Sequence, residues 1–273
     1  IRRQRQMCIR DRDEKEEEKH GKTGMPQGKG VVNFEHVDFS YVPEKQVLYD
    51  FNLEVRAGHK VALVGATGSG KTTVVNLLMR FYDINAGKIS IDGVDIRDIE
   101  MDELRKNIAI VLQDTVLFSD TIRNNIKYAD LDADDERMKQ AAATANCDRM
   151  IERMEQEYDT VLSEGGQNLS QGQRQLLSIA RAMLADPKIL ILDEATSSVD
   201  TRTEKHIQDA MVNLMKDRTS LIIAHRLSTI QDADFIVVLD EGRIVETGNH
   251  EELIEKKGRY YELYMTQFAG REI

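Results

Sequence analysis

Residues 65–72 read Gly65-Ala66-Thr67-Gly68-Ser69-Gly70-Lys71-Thr72. They fill the pattern G-x-x-x-x-G-K-[ST] at every fixed position. The preceding residues 60–64 form a short apolar run with the length of a buried strand. In the residues that follow, Val74, Leu77, Leu78 and Phe81 recur at i, i+3, i+4 and i+7, which predicts one buried helix face extending to Phe81. Strand, glycine turn and helix together make a setting in which main-chain N–H groups converge on an anion. The helix adds its free N–H groups and the positive end of its dipole. Lys71 brings a point charge toward β- and γ-phosphates, and Thr72 offers a hydroxyl to Mg²⁺. A glycine turn with a chance Lys-Thr is the bland alternative, and the flanking strand and helix argue against it.

Working outward, residues 108–112, 189–192, 220–224 and 235–239 are apolar nearly throughout. Such runs suit strands covered on both faces by helices, as in a mostly parallel sheet. Residues 31–41 alternate with one slip: Val32 and Phe34, then Val37, Phe39 and Tyr41. That predicts a half-buried strand with a bulge. Residues 51–55 repeat the alternation, and 88–91 run into the tight turn Asp92-Gly93. Residues 134–154 are polar and helical, and a mostly helical stretch from about 120 to 184 interrupts the strands. Residues 250–268 read as helical and amphipathic.

A second feature is Ile189-Leu190-Ile191-Leu192-Asp193-Glu194, an apolar strand ending in two carboxylates. Beside a phosphate loop, Asp193 suits Mg²⁺ and Glu194 suits orienting a water. Taken alone, the pair could equally cap the next helix. A third feature is Leu169-Ser170-Gln171-Gly172-Gln173, in which Ser170 and Gln173 fit a capping box. A helix start of this kind also makes a phosphate-binding end, and spacing does not choose between the two readings.

Composition narrows the classes. The 273 residues carry net charge −11 with 31% charged residues, which disfavours a nucleic-acid-binding face. No run of about 18 apolar residues occurs, so no segment reads as a membrane-crossing helix. Two cysteines, Cys8 and Cys147, are too few for a disulfide framework and point to a reducing compartment. Residues 1–12 begin at Ile1 and show no hydrophobic period. They read as an artefactual leader, followed by a charged, disordered or linker segment over 13–29. Order is expected from about Val31.

With these motifs in this order, residues 31–268 resemble the nucleotide-binding domain of ATP-binding-cassette (ABC) transporters. Residues 65–72 resemble that family's Walker A loop, with Thr73 adjoining it, and Asp193 closes its Walker B strand. Residues 169–173 resemble the signature L-S-G-G-Q, with Gln171 in place of the first glycine; Ser170, Gly172 and Gln173 match. Tyr41 resembles the aromatic that stacks on adenine, and Gln113 the glutamine that reaches Mg²⁺ and the attacking water. His225 resembles the switch histidine at the γ-phosphate. Residues 197–200 resemble the D-loop, where Asp200 also fits a helix N-cap. The strings Gln113–Phe118 and Thr121–Ile126, and Glu164 before Gly165-Gly166, resemble the exporter subclass.

The resemblance implies an α/β P-loop ATPase with a mostly parallel core sheet, an N-terminal antiparallel β element and an inserted helical subdomain. It implies ATP bound by Tyr41, Gly65, Ala66, Thr67, Gly68, Ser69, Gly70, Lys71, Thr72 and Thr73, and by Ser170, Gly172 and Gln173. It assigns catalysis to Glu194, His225, Gln113 and Lys71, and Mg²⁺ to Thr72, Gln113 and Asp193. The implied partners are a second nucleotide-binding domain and an exporter's transmembrane domain, at the cytoplasmic face of the cell membrane. The nucleotide-binding domain is expected over 31–270, cut away from its membrane helices. A soluble ABC-family ATPase with no transport role is the alternative; it would usually lack the strings around Phe118 and Glu164.

Overall fold

The computed structural model describes residues 21, 23–112, 115–193, 201–224 and 227–267. Two sheets carry the fold. The first is antiparallel, built from β1 (Val32–Val42), β2 (Lys45–Val55), β4 (Ala86–Ile91) and β5 (Val94–Asp95) in the order β2-β1-β4-β5. The second holds β3 (Lys60–Val64), β6 (Ile108–Val111), β7 (Ile189–Asp193), β8 (Thr219–Ile223), β9 (Phe235–Asp240) and β10 (Arg243–Gly248). Its order is β10-β9-β3-β8-β7-β6, parallel throughout except for edge strand β10.

The apolar runs have two faces with separate destinations. Ile189 and Ile191 of β7, Val61 and Leu63 of β3, and Val237 and Leu239 of β9 bury against the antiparallel sheet and helix α1 (Lys71–Leu78). The alternating residues Leu190, Leu192, Ala62, Val64, Ile236 and Val238 bury in a second core on the opposite face. That core is closed by α3 (Ile122–Lys127), α4 (Asp135–Thr144), α5 (Asp148–Ile151), α6 (Gln171–Ala185) and α7 (Thr201–Met215). A strand buried on both faces has no polar side to show, which is why these runs do not alternate.

The slip in β1 is a register shift between Phe34 and Val37, with His36 at φ 48°. Before it, even-numbered Val32 and Phe34 face inward; after it, odd-numbered Val37 and Phe39 do. The extra residue keeps both apolar sets on one face. Strand β2 begins six residues earlier than the alternation at 51–55 predicts, because a two-residue turn returns the chain directly from Val42 to Lys45.

Three helices end sooner than their periodicity predicts. α1 stops at Leu78, and Phe81, expected on its buried face, is 47% exposed with the Arg105 guanidinium over its ring. Here the Arg80 N–H bonds Leu77 O, the Phe81 N–H bonds Asn76 O, and Arg80 takes φ 55°. This is a Schellman ending with arginine in the left-handed position usually held by glycine. Asn146, at φ 57°, does the same after α4 and divides the 134–154 helix into α4 and α5. Lys257, at φ 51°, divides the 250–268 stretch into α9 (His250–Lys256) and α10 (Arg259–Gln267). The remaining helices are α2 (Met101–Lys106) and α8 (Leu227–Gln231). Among the described residues, no helix is long and apolar enough to cross a membrane.

Residues 23–31, most of them expected to lie in the linker, form a strap against the fold. The Thr23 hydroxyl donates to Asp98 O at 2.7 Å, and the Glu100 N–H donates to Thr23 O at 2.9 Å. Lys188 Nζ donates to Pro26 O at 2.9 Å. The Asp92 carboxylate accepts the N–H groups of Gly30 and Val31 at 2.9–3.1 Å. Lys188 precedes β7, so part of the strap crosses the edge where the parallel strands begin.

Candidate nucleotide site

The loop between β3 and α1 emerges from the opposite edge, where the parallel strands end. Gly68 and Gly70 take φ 85° and 108°, in the left-handed region where a side chain is strained. Gly70 is the N-cap of α1 and brings no side-chain cap, so the first N–H groups of α1 have no intrahelical partner. Ser69 Oγ is buried and makes no hydrogen bond. An unpaired buried hydroxyl costs about 1–3 kcal/mol. An incoming acceptor oxygen would remove that cost.

Lys71 is 7% exposed, and its Nζ donates to Gly65 O at 2.6 Å and Ala66 O at 2.9 Å. Burial pulls its pKa below that of an ordinary lysine, and the nearby Asp193 carboxylate partly restores it. Asp193 ends β7, one strand removed from β3 across β8, and is half-buried. Thr72 is exposed, whereas Thr73 is buried. The site thus holds a desolvated ammonium, an orphaned hydroxyl and an uncapped helix N-terminus. This donor set fits a polyphosphate.

Tyr41 lies beside α1. Its hydroxyl shares a hydrogen bond with Thr73 Oγ1 at 3.2 Å and accepts from Asn76 Nδ2 at 3.2 Å. Its ring, 44% exposed, meets Phe39 and Tyr82 edge to face at 4.8 and 4.9 Å. The aromatic face is held by neighbours near the first turn of α1.

Ser170 caps α6 as the spacing suggests. Its hydroxyl accepts the Gln173 N–H at 3.2 Å, and Gln173 Oε1 accepts the Ser170 N–H at 2.8 Å. Gly172 is buried and Gln173 half-buried. These residues lie at the start of a helix packed against α3, α4, α7 and β6. Glu164 is exposed and opens a 3₁₀ turn over Glu164–Gly166. Gln113, Glu194, His225 and 197–200 lie outside the described residues.

The periodicity reading missed Gly242, in the turn between β9 and β10. Its N–H donates to Ser69 O at 3.1 Å, and its carbonyl accepts the Tyr49 N–H at 3.1 Å. It sits at φ 77°, and a Cβ there would lie 2.0 Å from Val47 O. Gly65 is similarly confined: a Cβ would lie 2.3 Å from Leu239 O. The hairpin signal Glu241-Gly242 was available in the sequence. Its contact with Ser69 depends on β9 lying beside β3.

A family model described as ABC transporter matches residues 48–197. An uncharacterized ABC transporter ATP-binding protein, YfiC of Bacillus subtilis, is 54% identical over 94% of this chain and 43% of its own length. The ATP-dependent lipid A-core flippase of Hahella chejuensis is 51% identical over 94% of this chain and 44% of its own. Among solved structures, a bacterial Atm1-family ABC exporter with ATP bound superposes with a TM-score of 0.85 at 42% identity. That match covers 92% of this chain and 44% of the other. The chain therefore spans less than half the length of these relatives.

Proposed function

The chain belongs to the ABC transporter family, and from that premise we propose that it binds and hydrolyses ATP to power export of a substrate across a membrane. The observation that carries this reading is the buried Lys71 ammonium beside Asp193, under a loop with an orphaned Ser69 hydroxyl and an uncapped helix N-terminus.

In this reading residues 65–73 wrap the phosphates of ATP and Tyr41 stacks on the adenine. Lys71 exchanges its bonds to Gly65 and Ala66 for bonds to the β- and γ-phosphates. Thr72, Asp193 and Gln113 would hold Mg²⁺, which supplies charge neutralisation. A cation shared between few protein oxygens and phosphates needs no all-protein cage. Glu194 orients the attacking water, His225 and Lys71 stabilise the γ-phosphate, and Gln113 senses the site. Water adds to the γ-phosphorus, the bond to the β–γ bridging oxygen breaks, and ADP and phosphate leave.

Two such domains would face each other head to tail. Ser170, Gly172 and Gln173 of one would meet the phosphates held by the loop of the other. ATP then favours the closed pair, and loss of the γ-phosphate releases it. The proposed domain spans 31–270 with its helical part at about 120–184. It would act at the cytoplasmic face of the cell membrane, joined to a transmembrane domain. The exporter relatives support this coupling.

Glu194→Gln tests the reading. The variant is expected to keep ATP affinity, lose phosphate release and accumulate as a closed dimer in size-exclusion chromatography with Mg·ATP. Near-normal phosphate release would remove Glu194 from its role.

A further inference from the structure

Arg181 lies on α6, three turns beyond Ser170, and its guanidinium reaches into the loop over residues 115–121. Its Nε donates to Asn125 O at 2.8 Å, Nη1 to Val116 O at 3.0 Å, and Nη2 to Asn125 Oδ1 at 3.2 Å. The cation lies 5.6 Å from the ring centres of both Phe118 and Tyr128, which are themselves 4.6 Å apart. Asn125 is 1% exposed. Its Oδ1 accepts the Phe118 N–H at 2.9 Å, and its amide donates to the carbonyls of Phe118 and Thr121 at 3.0 Å.

Holding a partly desolvated cation this way is costly unless its donors are met. The planar fork of arginine meets them at two backbone carbonyls and an amide oxygen, and its faces meet two rings. The loop begins two residues after Gln113 in the chain, and Ser170 caps α6. One guanidinium therefore ties the loop that follows the first residue to the helix that carries the second.

We propose that Arg181 is a positioning residue which, with Asn125, locks the 115–121 loop to α6 so that the two move as one body. The proposal rests on the roles given above to Gln113 and Ser170. Arg181 touches no substrate; it acts by keeping the Gln113 end of the loop in register with the signature helix.

Arg181→Lys in the full chain is the test, because lysine keeps the charge but lacks the fork. Hydrogen–deuterium exchange without nucleotide should quicken at Phe118 and across 115–121 by roughly tenfold, with β7 and α1 unchanged. Unchanged exchange in the loop, or an increase spread evenly over the chain, overturns the clamp. Turnover should fall roughly tenfold with KM for ATP within about twofold. Adding Arg181→Lys to Gln113→Ala should cause no further fall, since both act through one group; additive losses overturn the coupling. Undiminished turnover in Gln113→Ala alone would instead sink the role of Gln113, and the exchange result would still decide the clamp.

Discussion

The ammonium of Lys71 lies 2.6 Å from the carbonyl oxygen of Gly65, the residue that opens its own loop. The charge is held by the loop it is proposed to serve. Burial disfavours the protonated form, so the midpoint of its titration lies below the ordinary lysine value of 10.5. The desolvation penalty is in force below the lowered pKa and fades as pH rises through it. A polyanion beside the nitrogen would shift the balance back toward the proton. ATP binding in alkaline buffer is therefore expected to take up protons, seen as a calorimetric heat that varies with buffer ionisation enthalpy. Lys71→Met should abolish that uptake and weaken ATP binding by about tenfold or more.

Gly242 supports the loop from outside it. Gly242→Ala should cost about 1–3 kcal/mol of stability, because a left-handed residue gains a Cβ against Val47 O. It should also raise KM for ATP by displacing Ser69. Gly93→Ala is the control: its φ of 83° carries the same strain, but its Cβ would meet open space. A melt with an ATP titration on both variants separates the effects. Equal ATP affinities in the two would remove the brace.

Ser170 has a capping role in the structure and a proposed phosphate role. Ser170→Ala should lose both, costing about 1 kcal/mol in urea unfolding and most of the turnover. Ser170→Asn should retain the cap within about 0.5 kcal/mol. If it also retained full turnover, the hydroxyl would be a cap only.

Cys147 is fully buried, and burial raises its thiol pKa to about 12. The neutral thiol is a poor nucleophile. Iodoacetamide at pH 8 should leave the Cys147 peptide unmodified in the native chain and alkylate it in denaturant, as read by mass spectrometry.

The phosphate loop and the parallel strands were legible because each announces itself within a few residues: Gly65 to Thr72 by spacing, 189–192 and 235–239 by unbroken apolar character. Helix ends at Arg80, Asn146 and Lys257 were not. Each stops its helix through a left-handed backbone at a residue other than glycine, and hydrophobic period carries no trace of that. Edge strand β10 was missed for a related reason. Its residues are half-buried or exposed, with one buried, so its pattern is weak. The meetings of Gly242 with Ser69 and of Arg181 with Val116 required the topology itself. They join residues 173 and 65 positions apart, and only the strand order and helix packing bring them together.

The strap over residues 23–31 has a mechanical consequence. Tension on the chain ahead of Thr23 would load its bonds to the 98–100 turn first, then the Lys188 bond to Pro26, before reaching the Asp92 grip on Gly30 and Val31. Lys188 stands at the foot of the strand whose head is Asp193. A load on the strap thus meets β7 at one end, while the other end of the same five-residue strand carries the carboxylate whose charge acts on Lys71.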